Sequence, residues 1–218
     1  MEEKILMSIL LGTIAFCLIG YALGGIPTAH IFASKKHIDL RKRGSGNLGA
    51  TNLSRSLGWR LGVLVGVLDL LKGVVPSMVA LVFFTLPNSS VLFVGMFTIL
   101  GHIYTPYLAS HRGGKGVATG AGVIAVFFPS AILFGLFVFF TVAAITRYIS
   151  LASMATYILL IPYYVFTSMI LNLPIEYAKL AFLVILSLLI IGTHKENVKR
   201  LLGNTEPKFS FATDKESV

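Results

Sequence analysis

The chain has 218 residues, of which 56% are hydrophobic and only 12% charged. With a mean hydropathy of +0.84, that composition excludes a soluble globular domain and specifies a polytopic membrane protein. A net charge of +9, from 18 Lys+Arg against 9 Asp+Glu, reports basic cytoplasmic loops and anionic lipid head groups rather than nucleic-acid binding, and the single cysteine, Cys17, excludes an internal disulfide or a cysteine-based metal cluster.

In chain order, the first apolar run extends from Ile5 to Ser34, broken by Gly24-Gly25 and Pro27. Glu2 and Glu3 spoil the positive leading region of a signal peptide, so the run reads as a span. Lys35, Lys36, Arg41, Lys42 and Arg43 follow as a basic block, and then a stretch dense in glycine and small polar residues, Gly44 to Arg55. A second span is expected from Trp59 to Phe84, an outer turn over Leu86-Pro87-Asn88-Ser89-Ser90, and a third span from Val91 to Leu108. The chain returns to His111-Arg112-Gly113-Gly114-Lys115-Gly116, then runs from Val117 to Thr146 without a charge, interrupted by Pro129-Ser130. Further spans are expected at Leu151 to Leu171 and from the turn Asn172 to Glu176 up to Gly192, ahead of a basic tail, Thr193 to Arg200.

The uncharged run decides the topology. Read as one span it is too long and sends the basic tail to the outer face. Read as two short helices broken at Pro129-Ser130, it leaves every Lys and Arg except Lys4, Lys72 and Lys179 on the cytoplasmic side. The expectation is an all-α, single membrane-embedded domain over residues 1–218, with seven transmembrane helices, the N-terminus outside and the C-terminus inside.

Three polar clusters fall on that cytoplasmic side. In Gly44-Ser45-Gly46-Asn47-Leu48-Gly49 the literal match to a dinucleotide fingerprint is rejected, because it joins two membrane spans and no βαβ unit surrounds it. Its physics survives: glycines let backbone N–H groups turn toward an anion, Ser45, Asn47, Thr51 and Asn52 add short hydrogen-bonding arms, and Arg55 supplies a planar charge. Gly113-Gly114-Lys115-Gly116 is likewise no P-loop, since neither Ser nor Thr follows the lysine. It does place a compact cation where a helix begins, and a helix N-terminus favours anions. The third cluster is the tail, where His194 and Asn197 share a face if the segment is helical. Asp69 and Lys72 lie three residues apart inside the second span, which reads as a buried ion pair or as Lys72 turned toward a buried anion. His102 is an intramembrane ionisable residue and therefore a candidate for function. Together these clusters point to a site for at least one phosphate. Paired carboxylates, a metal-ligand cluster and a Gly-x-Ser-x-Gly elbow are missing from the sequence. A transporter of small organic phosphates is the competing class. An acyl-CoA enzyme built on a His-x4-Asp motif fails, because no histidine has an Asp five positions on.

These residues resemble the bacterial membrane acyl-phosphate:glycerol-3-phosphate acyltransferases over nearly the whole chain. The first motif is Gly44 to Arg55; the second is Gly101-His102 with Gly113 to Thr119; the third is His194 through Asn197 and Arg200 to Glu206 and Lys208. Asp69-Leu70-Leu71-Lys72-Gly73 and Arg147-Tyr148-Ile149-Ser150-Leu151 also fit, while His111-Arg112 departs from the usual pattern. The resemblance implies transfer of a fatty acyl group from acyl phosphate to the 1-hydroxyl of glycerol 3-phosphate, giving lysophosphatidic acid and phosphate. It implies no cofactor or metal, and a site facing the cytoplasm of a bacterial cell membrane. By the same resemblance Arg55, Lys115 and Ser150 or Ser153 hold phosphate. Ser45, Asn47, Asn52 and Asn197 orient oxygen atoms, with Gly44, Gly46, Thr51, Lys72, Gly113, Gly114 and Gly116 around the substrates. The general base is left open among His194, His102 and the substrate's own phosphate. The resemblance leaves the oligomeric state open.

Overall fold

The computed structural model describes residues 2–209, so the expectation of one domain over 1–218 extends beyond them at both ends. Every regular element among them is helical: α1 (Glu2–Gly25), α2 (Thr28–Ser34), a 3₁₀ turn (Leu40–Lys42), α3 (Ala50–Leu57), α4 (Trp59–Met78) running into a π-helical turn (Val79–Phe83), α5 (Asn88–Ile103), α6 (Val117–Phe127), α7 (Pro129–Thr146), α8 (Ile149–Ile170), α9 (Tyr177–Thr193) and α10 (Lys195–Leu202).

Among the described residues, four segments are long and apolar enough to cross a membrane: Glu2–Ser34, Trp59–Phe83, Pro129–Thr146 and Ile149–Ile170. The count rises to five if α9 and α10, bent by 59°, form one span; α5 and α6 are shorter apolar helices. The uncharged run does break at Phe128, and Pro129 opens α7 at the first helical position, where its missing N–H costs nothing. The third apolar segment ends earlier than expected, at Ile103 and not Leu108. Thr105 precedes Pro106, which disfavours helical backbone there. The Gly44–Arg55 stretch is also more ordered than a loop, because its second half is helix α3.

Glycines set the closest helix crossings. Side chains at Gly24 and Gly101 would run into the backbones of Thr98 and Tyr21, so α1 and α5 touch almost directly. Gly73 and Gly122 do the same for α4 and α6, against Thr119 and Leu70. Small residues at such crossings let van der Waals packing hold helices where lipid supplies no hydrophobic drive. The main core, with Val91, Val94, Ile99, Val123, Leu183 and Leu186 fully buried, joins α1, α5, α6, α8 and α9. A second core of Ala29, Ala33, Leu40, Leu48, Leu53 and Val65 lies under α2, α3 and the loop between them.

One end of the bundle gathers the basic segments. The C-terminal ends of α5, α7 and α9 and the N-terminal ends of α6 and α8 meet there, with α3, α10 and residues 203–209 crossing between them. Lys115 hydrogen-bonds Asn197, Ser150 hydrogen-bonds Glu206, and Phe209 N–H reaches the Arg147 carbonyl.

Candidate active site

Residues 44–57 form the first wall. The chain turns at Gly44 and Gly46, both with positive φ (54° and 71°), which glycine adopts without strain. Asn52 on α3, fully buried, fastens that turn: its Oδ1 accepts from the Ser45 N–H at 3.0 Å, and its Nδ2 donates to the carbonyls of Leu40, Arg43 and Asn47 at 3.0 Å each. The Asn52 amide is therefore committed to the loop, and one backbone N–H expected to face an anion is already taken. The wall instead turns the Ser45, Asn47 and Thr51 residues toward a cavity, and Arg55 lies beside them. Arg55 Nη2 donates to the Pro207 carbonyl at 2.9 Å, while its Nε is buried and has no partner among the described residues. Burial lowers the Arg55 pKa from its ordinary value, opposed by the Glu206 carboxylate and reinforced by Arg200.

The second wall is the return from α5 to α6. Gly113 N–H donates to the Ile103 carbonyl at 2.8 Å and Gly114 N–H to the His102 carbonyl at 3.0 Å. A side chain at Gly114 would collide with the His102 ring, so this loop lies directly on the imidazole. Gly116, at φ 81°, caps α6 and leaves Val117 and Ala118 at the cavity; the N–H groups of a first helical turn have no partner within their own helix. Lys115 Nζ donates to Asn197 Oδ1, and its pKa falls to about 8, chiefly through burial, with Glu206 raising it and Arg200 and Arg55 lowering it further.

The third wall comes from the tail. His194 sits at the bend between α9 and α10; its Nδ1 lies 2.8 Å from the Ile190 carbonyl. A carbonyl only accepts, so Nδ1 carries the proton and Nε2 is left with a lone pair. Burial and then the Lys115 charge push the His194 pKa down to about 4, so the ring is neutral at physiological pH. Asn197 Nδ2 donates to Glu206 Oε1 at 2.7 Å, Ser150 Oγ donates to the same oxygen at 2.7 Å, and Arg200 Nε donates to Glu206 Oε2 at 2.7 Å. Burial alone would raise the Glu206 carboxyl, but these three donors and the Arg200 charge outweigh it and hold the pKa below its ordinary value. Ser153 Oγ donates to the Ile149 carbonyl at 2.8 Å and remains at the cavity edge.

The walls enclose a polar cavity of about 210 Å³ that gathers Ser45, Asn47, Thr51, Asn52, Arg55, His102, Lys115, Ser150, Ser153, His194 and Asn197 from well-separated parts of the chain. On one side it shares Ser45, Asn47, Lys115 and Asn197 with a wide vestibule of about 1070 Å³, lined also by Gly46, Gly113, Gly114 and the basic residues Arg41, Arg112, Lys195 and Arg200. On the other it shares Thr51, Val117, Ala118, Phe139, Ile149 and Ser153 with an apolar groove of about 380 Å³ between α4, α6, α7 and α8.

Of the expected polar and charged site residues, Lys72 is the one that does not line this cavity. Its Nζ lies 2.7 Å from Asp69 Oδ1, 3.2 Å from Thr28 Oγ1, and also reaches the Ile26 carbonyl. An ammonium in an apolar interior takes the nearest anion, so of the two readings of Lys72 the structure shows the ion pair. Asp69 itself touches the cavity, with His102 Nδ1 3.8 Å from its carboxylate. Gly44 and Gly116 shape the turns. Sequence reasoning gave no site role to Glu206 or Phe139; the signal for Glu206 was its place in the third motif, six positions after Arg200.

A profile of the family described as Glycerol-3-phosphate acyltransferase matches residues 14–204. The chain belongs to this family. The glycerol-3-phosphate acyltransferases of Aquifex aeolicus and Macrococcus caseolyticus are 39% and 42% identical to it over 189 and 199 residues, covering 87% and 89% of this chain and 95% of each relative. The crystal structure of PlsY, an integral membrane glycerol 3-phosphate acyltransferase, in its glycerol 3-phosphate form superposes with a TM-score of 0.81 at 37% identity, covering 91% of this chain and 96% of that one. The lysophosphatidic acid form gives a TM-score of 0.79 at 35% identity, covering 92% and 97%. The family resemblance read from the three motifs therefore holds. The protein is a multi-pass membrane acyltransferase that acylates glycerol 3-phosphate in phospholipid synthesis, and the transporter reading gives way.

Proposed function

We propose that the acyl donor is acyl phosphate, that the acyl group passes to the 1-hydroxyl of glycerol 3-phosphate, and that lysophosphatidic acid and inorganic phosphate leave. The observation that carries this reading is the position of one cationic cavity between a basic aqueous vestibule and an apolar groove. A water-soluble phosphate ester enters through the first. An acyl chain lies along the second, with its activated carboxyl end at the junction, near Thr51, Val117 and Ser153.

In this reading Arg55, Lys115 and the start of α6 hold phosphate. The Ser150 hydroxyl proton is held by Glu206, so of the two serines it is Ser153, turning its hydroxyl away from the Ile149 carbonyl, that donates to the phosphate. Ser45, Asn47 and Asn197 orient oxygen atoms, and Asn52 holds the loop that carries the first two. The acyl donor is already activated, so the protein's task is to align the hydroxyl with the carbonyl and to balance the charge that develops. Alignment can supply about 7–11 kcal/mol of the barrier. The hydroxyl oxygen bonds to the acyl carbon, the bond to the phosphate oxygen breaks, and the departing phosphate takes the hydroxyl proton. His194, with a pKa near 4, is a far weaker base than that leaving oxygen. Its Nε2 lone pair serves as an acceptor that orients the hydroxyl. Both substrates are anions, and with Asp69 offset by its partner Lys72, the charges of Arg55, Lys115 and Arg200 against Glu206 leave the site net positive.

The same reading makes α1 (continued by α2), α4, α5, α6, α7, α8 and α9 seven crossings. The cavity then faces the cytoplasm of a bacterial cell, where the basic segments belong. The described residues fit one membrane-embedded domain.

The donor is tested with purified protein in detergent, supplied with glycerol 3-phosphate and either acyl phosphate or acyl-CoA. Acyl phosphate is expected to yield lysophosphatidic acid and phosphate in equal amounts, and acyl-CoA neither. Turnover of acyl-CoA at a comparable rate contradicts the proposal.

A further inference from the structure

We infer that Glu206 is a positioning residue of this site: its carboxylate fixes the Asn197 amide and the Ser150 hydroxyl, and through Asn197 it aims the Lys115 ammonium into the cavity. The inference rests on the acyl-transfer reading above and adds to it a residue that reaches the chemistry only through others.

The geometry begins with the segment after α10. Thr205 N–H and Glu206 N–H both return to the Arg200 carbonyl, at 2.8 and 3.1 Å, which folds the chain back over the cavity. Arg55 then grips the Pro207 carbonyl at 2.9 Å, and Phe209 is tied to Arg147 through N–H to carbonyl at 2.7 Å and Arg147 Nε to the Phe209 carbonyl at 3.2 Å. Glu206 is thus pinned from both sides, with a side chain only 2% exposed. Both its oxygens are engaged, Oε1 by Ser150 and Asn197 and Oε2 by Arg200.

A carboxylate beside a phosphate site opposes the substrate's charge, so direct binding does not account for it. Its value lies in the asymmetry of the asparagine amide, which has a donating nitrogen and an accepting oxygen. Because Nδ2 is held by Glu206, Oδ1 must face away, and it receives Lys115 Nζ. Without the carboxylate the amide can rotate and present its N–H groups to the ammonium, turning an attraction into a repulsion. The charged and titratable groups around Lys115 are Arg55 from α3, His194 at the α9–α10 bend, Arg200 from α10 and Glu206. Among them Glu206 is the carboxylate, and it is the group that favours the protonated form of Lys115.

The experiment compares Glu206→Gln with the unaltered enzyme by two readouts. The first is kcat against pH. Misaligning a reacting group costs on the order of 10²-fold in rate, so a fall of about 10- to 100-fold is expected, with the alkaline limb moved to lower pH. The second is the pH dependence of Lys115 modification by an amine reagent, followed by peptide mass; it needs no turnover and so stands apart from the identity of the acyl donor. Lys115 should become reactive at lower pH in Glu206→Gln. An unchanged Lys115 profile overturns the proposal even if activity falls, because a merely structural glutamate would lower activity in step with folded protein and leave Lys115 alone. If Glu206→Gln does not fold, Glu206→Asp keeps the charge on a shorter arm. It should lose rate with the alkaline limb in place, and a wild-type kcat in that variant overturns the proposal.

Discussion

Lys115 combines features that an ordinary loop lysine lacks. It stands between two glycines, one packed on His102 and the other opening α6, and burial brings its pKa to about 8. If it balances charge on phosphate in the transition state, Lys115→Met removes one preorganised donor, which costs about 2.7–4 kcal/mol, or on the order of 10²–10³ in rate. Lys199→Met is the control: Lys199 pairs with Glu196 at 3.3 Å on the surface, with 73% and 57% of the two side chains exposed, and such pairs contribute little. Steady-state rates on equal amounts of folded protein should fall in the first variant and not in the second. The pH dependence follows with a definite sign. The ammonium is the active form and its pKa is lowered, so the rate should decline as pH rises through about 8 and hold below it, until other groups titrate. A rate that is flat from pH 7 to 10 would mean that the Lys115 charge is not used.

The turn and helix of residues 44–57 act as one unit built round Asn52. Asn52→Leu strips the partners from one N–H and three carbonyls in a mostly buried setting, each lost partner costing roughly 1–3 kcal/mol. Its melting temperature in detergent should therefore drop markedly. Asn47→Ala, which alters a cavity-facing side chain, should lower activity with little change in melting temperature; the opposite ordering would exchange the roles of the two asparagines. This unit also shows what the sequence could and could not tell. The density of Gly, Ser and Asn marked a stretch that the fold does bring to the cavity, because those residue types serve turns and anions alike. It concealed α3, since Thr51, Asn52, Ser54 and Ser56 read as loop until Leu53 and Leu57 are seen packing on a core contributed by α2 and the 3₁₀ turn. The break at Phe128 was legible because Pro129 acts locally. The role of Glu206 was not, because it depends on a chain reversal after α10 that brings it to Ser150, far away in sequence.

At the scale of the whole molecule, the bundle lets two substrates of opposite solubility meet. The apolar runs, counted against the placement of Lys and Arg, already made the chain a membrane bundle with its polar motifs at one end. The groove was not foreseen in detail, because it is made by what is absent: Gly62 and Gly66 on α4, Ala118 and Ala121 on α6, Ala131 and Gly135 on α7. Small residues in three separate helices leave space only once those helices are packed. Gly66 gives the most direct access to the claim that the acyl chain uses this groove. A Cβ there meets the Ala50 Cβ at 3.8 Å, an ordinary contact, so Gly66→Ala should be tolerated, and Gly66→Leu should project into the groove without a backbone clash. The decisive measurement is the KM of Gly66→Leu for each substrate, with Gly66→Ala alongside. The account predicts a raised KM for acyl phosphate and an unchanged KM for glycerol 3-phosphate. An unchanged donor KM, or an equal rise in both, would contradict it.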